Sequence, residues 1–218
     1  MGCLNCGDAM VKAVDMSSLH SQKTFNDDLL PYIRGKKILS IGCGNGLNDL
    51  IYGNEKSLGI DCDKEKILEG KKRYLRIEHG WAGKHNFKGE KFEVVTIFHV
   101  LEHLETRAEL QNTLKSAYNV LKNNGYLIIA VPYAYDSNAW THWQHERVFT
   151  HNSLKDLVER AGFKVEKQYS FWHLPFENKL INDNLIGNFK CPFKRDYIIK
   201  ILATFNLVRD IHLIARKR

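Results

Sequence analysis

Short apolar runs alternate with longer amphipathic stretches along most of the chain. Each run has the length of a buried strand, and the runs cover 37–41, 56–60, 92–98 and 126–131. Between residues 106 and 121 the apolar positions recur at helical spacing instead, at Leu110, Leu114, Ala117 and Leu121. Alternating strands and helices predict a mainly parallel, doubly wound α/β sheet that binds its ligand at the carboxyl ends of the strands.

Polar and glycine residues mark the ends of several predicted elements. Asn123-Asn124-Gly125 predicts the end of helix 106–121 and the turn into the next strand. Thr150 or Asn152 caps a helix that ends at Gly162. The remaining predicted elements are helices at 21–33, 46–52, 64–76 and 153–161, and strands at 163–170 and 211–216.

The chain is organised as one unit. No repeat, low-complexity tract or linker divides it, and 218 residues suit one domain with a sizeable core. Residues 1–18 are poorly patterned, so we expect a loose N-terminal segment followed by a single domain over 19–218. No apolar run approaches the ~20 residues of a membrane span, and no signal peptide begins the chain. Five scattered cysteines, an odd number, favour a reducing compartment and predict a cytoplasmic protein.

The net charge of +7 and the pI of about 9.1 raise the question of nucleic-acid binding. Lys and Arg are nevertheless spread along the chain, and no basic stripe with interleaved aromatic residues is present. The charge therefore indicates solvated helix faces, and nucleic acid is not the favoured partner.

A glycine-rich turn joins the first two predicted strands. The first apolar run ends in Gly42-x-Gly44-x-Gly46, and the second ends in Asp61, nineteen positions after Gly42. This separation is close to the ~20 residues between a glycine turn and a ribose-binding acid in a nucleotide-binding βαβ unit. The glycines allow backbone to approach a ligand closely, and the carboxylate accepts hydrogen bonds from ribose hydroxyls. The layout predicts a cofactor that contains adenosine.

The spacing of the glycines narrows the choice of cofactor. Dinucleotide sites need G-x-G-x-x-G, but here the third glycine comes one residue early and Leu47 takes its place. A phosphate-binding P-loop is excluded because no Lys-Ser/Thr pair follows the glycines. G-x-G-x-G suits a ligand without phosphate, such as S-adenosylmethionine (SAM).

Several further motifs resemble those of the class I SAM-dependent methyltransferases, over about residues 19–218. KKILSIGCGNG is similar to the first motif of that family and SLGIDCDKEKI to its second. KFEVVTIFHVLEHL resembles the fourth strand with its loop, and VLKNNGYLIIAVP resembles the segment into the fifth strand. HERVFTHNSLKDLVERAGFKV and IHLIARKR are similar to the closing elements of the ubiquinone-biosynthesis-like branch.

The resemblance implies a Rossmann-like sheet of seven strands, mainly parallel with the last strand antiparallel. It also implies that SAM is the cofactor, with the glycine loop against it, Asp61 on its ribose and the residues from Phe98 to Val100 at its methionyl end. The implied cofactor-binding residues are Gly42, Cys43, Gly44, Gly46, Asp61, Cys62, Phe98 and His99.

Two positions depart from the family pattern. Family members usually carry an acid where this chain has Ser40, so the network that holds the methionyl part of SAM must differ. The acid expected near the adenine amine, after the third strand, is not evident within 77–91.

Residues for the acceptor are expected where the fourth and fifth strands end. One cluster contains His99, Glu102 and His103, and a second cluster contains Tyr133, Tyr135, Trp140, His142, Trp143, His145, Glu146 and Arg147. An oxygen nucleophile gains from a general base, and the unperturbed pKa of histidine suits that role. We therefore predict His145, helped by His103, as the base, with His99 as the third candidate. Aromatic residues here, together with Phe171 and Trp172, would cover the pocket.

The same residues suggest a metal site as an alternative. Glu102, His103 and His145 offer the nitrogen and oxygen ligands that divalent metals accept. The arrangement resembles the small-RNA 3′-terminal ribose methyltransferases, whose E-x-x-E-H has its first Glu replaced here by His99. Metal-free relatives also carry Leu-Glu-His-Leu, so we assign no metal and keep these three residues as candidate ligands.

The sequence thus predicts a methyltransferase that transfers a methyl group from SAM to a small molecule, with an oxygen acceptor favoured. Two alternatives stay open. The first is an RNA methyltransferase, with or without a metal, and the second is a SAM-binding partner protein without catalysis.

Overall fold

The computed structural model describes residues 29–172 and 208–218. Residues 29–33 are helical and lead into the first strand. The strands are β1 (Ile38–Ile41), β2 (Leu58–Asp61), β3 (Ile77–His79), β4 (Phe92–Phe98), β5 (Leu121–Pro132), β6 (Phe163–Trp172) and β7 (Val208–Lys217). The helices are α1 (Lys64–Lys71), α2 (Arg107–Val120), α3 (Ser137–Thr141) and α4 (His151–Arg160).

The seven strands form one sheet in the order β3-β2-β1-β4-β5-β7-β6. β1 pairs in parallel with both β2 and β4, whereas β7 is antiparallel to β5 and to β6. The predicted fold class, including the antiparallel last strand, is confirmed. The strand order reverses between β1 and β4, and doubly wound sheets bind ligands at the carboxyl ends of the strands beside such a reversal.

Apolar side chains cover both faces of the sheet, as a doubly wound fold requires. On one face, Leu39 and Ile97 pack in a cluster with residues of α2 and α4. On the other face, Ile38 and Val94 pack with the helical residues 29–33 and with α1. Because both faces are covered, the strand edges and the loops at the strand ends are the parts of the sheet left for a ligand.

The ends of the helices follow the polar signals in the sequence. Thr106 caps α2 in a capping box with Glu109. Thr150 caps α4, and its hydroxyl accepts from Ser153 N, so Thr150 rather than Asn152 is the capping residue. Gly162 then ends that segment with φ of 97°.

Three elements differ from the predicted ones. The helix expected at 46–52 is a 3₁₀ turn over Leu50–Tyr52. A helix cannot begin at Gly46, because this residue has φ of 79°, and the turn starts only where Asp49 caps it. α1 ends at Lys71 instead of 76, and Tyr74 beyond it has φ of 61°. β5 begins at Leu121, because this residue already pairs with Phe92 before the register shifts.

Some predicted features lie outside the described residues. These are the segment 1–18 and the start of the helix expected at 21–33. Within the described ranges, no helix is long and apolar enough to cross a membrane.

Candidate functional site: a cleft at the carboxyl ends of β1, β2 and β4

A cleft of about 890 Å³ opens where β1, β2 and β4 end. This volume lies within the ~300–1,000 Å³ typical of small-molecule sites. The segments after β3 and around 143–146 complete its walls. Of the residues predicted for the cofactor and the acceptor, the cleft is lined by Gly42, Cys43, Gly44, Asp61, Cys62, Phe98, His99, His103, Trp143 and Glu146.

The glycine loop lies on the floor of the cleft and has a left-handed backbone. Gly42, Gly44 and Gly46 have φ of 72°, 54° and 79°, a region that side chains other than glycine rarely adopt. A Cβ atom on Gly42 would lie 2.2 Å from Val100 Cγ2. Gly46 does not line the cleft, and a Cβ there would lie 2.6 Å from Leu75 Cδ1. Gly42 and Gly44 therefore present backbone to a ligand, and Gly46 allows the turn behind them.

Asp61 connects the end of β2 to the glycine loop. Its Oδ2 accepts a hydrogen bond of 2.7 Å from Gly44 N, and its Oδ1 accepts one of 2.8 Å from Asp63 N. An ionised carboxylate has about four acceptor positions, so two remain for ribose hydroxyls. The residue that would hold the ribose also holds the loop that would lie against the cofactor.

The two cysteines at the cleft are contact residues rather than nucleophiles. Burial of Cys43 raises its pKa far above the usual value, and the charges of Asp49 and Asp61 add to this. Partial burial and the charge of Asp61 also raise the pKa of Cys62. Both thiols therefore stay protonated at neutral pH, which removes the thiolate form that nucleophilic chemistry needs.

A buried carboxylate lies below the loop, and the sequence analysis missed it. Asp49 is 1 % exposed, and its Oδ1 accepts from Leu50 N at 2.7 Å. The hydroxyls of Thr96 and Ser40 donate to the same carboxylate. Ser40 is the position at which the family resemblance implies an acid. A carboxylate is thus present beside Ser40, but it comes from a residue nine positions further along the chain.

The segment after β3 contributes an indole to the cleft. Gly80, Trp81 and Ala82 line the wall there, and Trp81 is 59 % exposed. The nearby acid Glu78 instead pairs with Arg76 and lies 3.3 Å from His85 Nε2. At the cleft wall this segment therefore presents the flat indole of Trp81, where the family resemblance implies an acid near the adenine amine.

His99 lies directly after β4 in a left-handed conformation, with φ of 54°. Such a backbone is uncommon for a residue other than glycine and is found more often at functional sites. His99 N donates to Ala130 O at 2.9 Å, which holds the residue between β4 and β5.

A buried acid lies behind the imidazole of His99. Nδ1 lies 3.3 Å from Glu102 Oε1, an ion-pair contact rather than an aligned hydrogen bond, and the Glu102 side chain is 1 % exposed. Burial lowers the pKa of His99, but Glu102 and the charge of Asp210 outweigh it, so the pKa is raised overall. Glu102 Oε2 makes no hydrogen bond within the described residues.

His103 and His145 form a second histidine group next to Glu102. Their rings are 5.0 Å apart, and His103 Nδ1 lies 2.9 Å from Gln144 O while His145 Nδ1 lies 2.8 Å from Ala139 O. Carbonyl partners assign the proton to Nδ1 in both rings and leave each Nε2 with a lone pair. One ligand atom from each of Glu102, His103 and His145 lies within 4.8 Å of the others.

The segment 142–147 is attached to the loop after β4. Glu146 N donates to Glu102 O at 2.8 Å, and Arg147 Nη2 donates to Glu105 O at 2.9 Å. Trp143, Gln144 and Glu146 of this segment line the cleft, whereas His145 does not.

The predicted aromatic cover lies only partly over the cleft. Tyr133 is buried and packs edge-on against Tyr135, and Trp140 Nε1 donates to Ala134 O at 2.5 Å. None of these three lines the cleft, whereas Trp143 lines it and is 85 % exposed. The side chains of Phe171 and Trp172 lie outside the described part of the chain.

Comparison with known proteins places this fold and cleft in one family. Residues 19–168 match the family model described as a methyltransferase domain. A protein of Mycolicibacterium smegmatis named "probable S-adenosylmethionine-dependent methyltransferase" is 27 % identical over 147 residues, which cover 64 % of this chain and 56 % of that protein. An uncharacterized protein of Haemophilus influenzae is 31 % identical over 119 residues, or 47 % of this chain and 44 % of that one. The chain spans about half the length of these curated relatives.

Solved structures show the same fold at lower identity. The SAM-dependent methyltransferase of Mesorhizobium loti has a TM-score of 0.65 at 13 % identity, covering 90 % of this chain and 98 % of that one. The SAM-dependent methyltransferase of Archaeoglobus fulgidus has a TM-score of 0.61 at 19 % identity, covering 93 % and 100 %.

The chain belongs to the methyltransferase domain family, and its domain is of the class I type that uses SAM. The glycine loop with three left-handed residues and the carboxylate of Asp61 fit that cofactor, because they offer close backbone approach and free acceptor positions for a ribose.

Asp61→Asn separates the two roles of this side chain. The amide oxygen still accepts from Gly44 N, but one carboxylate oxygen and the charge are lost. We expect the Kd for SAM, measured by calorimetry, to rise about tenfold or more, since hydrogen bonds to charged groups contribute about 1.5–3 kcal/mol. The melting temperature should change little. Glu65→Gln, an exposed acid of α1 outside the cleft, is the control; unchanged affinity in Asp61→Asn would contradict the assignment.

Trp81 lies beyond Asp61 on the β3 side, where the adenine of a ribose-bound cofactor would lie. We expect SAM to quench the fluorescence of the protein and Trp81→Phe to remove that quenching. Trp81→Ala should weaken binding about fivefold or more, because aromatic stacking of a base contributes about 1–3 kcal/mol. Trp140→Phe, another exposed indole that does not line the cleft, should keep the quenching. Equal quenching in both Phe variants would exclude the stacking role.

Proposed function

We propose that this protein transfers the methyl group of SAM to a small-molecule acceptor, and that the accepting atom is oxygen. The observation that carries this proposal is His99. It lines the cleft at the end of β4, it is about half exposed, and a buried carboxylate lies behind its ring. A histidine paired in this way suits the removal of a proton from a hydroxyl group.

Different residues of the cleft bind different parts of the cofactor. The backbone at Gly42 and Gly44 lies against the cofactor, Asp61 holds its ribose, and the residues from Phe98 to Val100 border its methionyl end. When bound, SAM supplies an electrophilic methyl group. Alignment of the acceptor oxygen with that methyl carbon accounts for much of the rate of such a transfer.

His99 acts as the general base in this proposal. Contact of Nδ1 with Glu102 favours the tautomer that leaves Nε2 free to accept a proton. His99 would take the hydroxyl proton while the acceptor oxygen receives the methyl group that SAM would supply, and S-adenosylhomocysteine would leave. Glu102 stabilises the imidazolium that results, and the half-exposed ring then releases the proton to water.

The geometry favours His99 over the two other candidate bases. His145 does not line the cleft, and its ring lies beside His103. His103 lines the cleft, but Gln144 O holds its Nδ1. We therefore assign His103 to contact with the acceptor and His145 to orienting His103.

A small molecule suits the cleft better than a nucleic acid. Lys66 and Lys84 are the lysines that line it, and Lys84 is paired at 3.3 Å with Glu109. The lining also includes the acids Asp61, Asp63, Glu105, Glu109 and Glu146, which would repel a phosphate backbone. We further infer a cytoplasmic reaction from the odd cysteine count.

A second candidate is metal-assisted methyl transfer, with RNA as its acceptor class. It is favoured by one observation, the ligand atoms of Glu102, His103 and His145 within 4.8 Å of one another. Backbone carbonyls that bind Nδ1 of a histidine are common behind metal ligands.

His99→Asn tests the main proposal. The measurement is formation of S-adenosylhomocysteine with a panel of small phenols, hydroxyquinones and sugars. We expect activity to fall by about 10²–10⁴-fold, the usual contribution of a general base, while the Kd for SAM stays within about threefold. The control is His79→Asn, an exposed histidine of β3 that does not line the cleft and belongs to neither acceptor cluster. Full activity in His99→Asn would refute the assignment.

Chelation and salt distinguish the second candidate. If His99 is the base of a metal-independent enzyme, EDTA leaves turnover unchanged, and calorimetry with Mn²⁺ or Zn²⁺ shows no binding that His145→Asn removes. Affinity for a short RNA should also be weak and change little with salt, because few phosphates would be neutralised. Tight binding that falls steeply with salt would favour the RNA alternative. Loss of turnover in EDTA that Mn²⁺ restores would favour the metal-assisted enzyme instead.

A further inference from the structure

A carboxylate that touches no solvent lies between the glycine loop and the centre of the sheet. Asp49 follows Asn48, which lines the cleft, and its own side chain points into the protein with 1 % exposure. Buried acids are rare unless their oxygens are bonded. Here three donors converge on the carboxylate, namely Leu50 N and the hydroxyls of Thr96 and Ser40.

The two hydroxyls come from β1 and β4, the neighbouring strands between which the strand order reverses. Ser40 in β1 and Thr96 in β4 are direct partners in the parallel register. Both are buried, and Thr96 Oγ1 also lies 3.4 Å from Leu39 O. Asp49 therefore ties β1 and β4 together where the strand order reverses, directly below the cleft.

The carboxylate also sets the path of the loop above it. Its bond to Leu50 N begins the 3₁₀ turn, and the chain between Gly46 and that turn carries Asn48 to the cleft wall. The bonds of Asp49 with Thr96 and Ser40 attach this segment to β4 and β1. The anchor thus acts on the part of the cleft wall closest to the end of β1.

Burial and hydrogen bonding act in opposite directions on this side chain. Burial raises the pKa of Asp49, the hydrogen bonds from Ser40, Thr96 and Leu50 N lower it, and the pKa is raised overall. Asp49 therefore acts on the cleft through its bonds to the two strands and to the turn.

We propose that Asp49 is a positioning residue for the methionyl end of SAM. It takes the place of the acid that the family resemblance implies at position 40, where this chain has Ser40. Its carboxyl group holds Ser40, Thr96 and the start of the 3₁₀ turn, and these bonds fix Asn48 at the cleft wall beside the glycine loop. The inference concerns cofactor binding alone and does not depend on the acceptor or on His99.

The test compares ligands with and without the amino-acid group. SAM and S-adenosylhomocysteine both carry it, whereas 5′-methylthioadenosine has the same adenosine and the neutral thioether of S-adenosylhomocysteine without it. In Asp49→Asn we expect the Kd values for SAM and S-adenosylhomocysteine, by calorimetry, to rise about tenfold, with the Kd for methylthioadenosine within about twofold. Asp136→Asn is the matched control, since Asp136 is also buried but follows β5 and belongs neither to the glycine loop nor to β1 or β4.

A second experiment moves the acid from position 49 to position 40. In the double variant Ser40→Asp with Asp49→Asn, the acid moves to the position implied by the family resemblance, and we expect SAM affinity to return to within about threefold of the original. This experiment also serves if Asp49→Asn alone does not fold. Equal weakening for ligands with and without the amino-acid group, unchanged affinity for SAM in Asp49→Asn, or a folded double variant without recovery would overturn the proposal.

Discussion

The hydrogen bond from Gly44 N to Asp61 Oδ2 is the interaction on which the site depends. It joins the loop after β1 to the end of β2 across 2.7 Å, and it is made by the carboxylate that would also bind the ribose. Gly44 donates from a left-handed backbone, which glycine adopts readily. At Gly42, also left-handed, a Cβ would in addition clash with Val100. Asp61 would therefore couple recognition of the cofactor to the geometry of the loop.

Around that contact the cleft has two chemically distinct ends. Asp61 and Trp81 form the end toward β2 and β3, where adenosine would lie. His99 and His103 form the end toward β4, and the backbone bond from Glu146 to Glu102 holds the segment with Trp143 against it.

The features that follow from local pattern could be predicted from the sequence. Apolar runs and glycine spacing located the central strands, the loop at Gly42 and the acid Asp61, because each depends on neighbours close in the chain. Asp49 could not be predicted, since its partners on β1 and β4 are brought to it only by the sheet. The placement of His145 behind His103, and of Trp81 at the wall, likewise depends on how loops pack after the strands have paired.

We infer that the early third glycine and Asp61 build a site for SAM and not for a dinucleotide. The decisive experiment is calorimetric titration of the purified protein with SAM, with S-adenosylhomocysteine as competitor and NAD in parallel. We expect one SAM per chain, displaced by S-adenosylhomocysteine, and no heat from NAD. Binding of NAD, or no binding of SAM to folded protein, would contradict it.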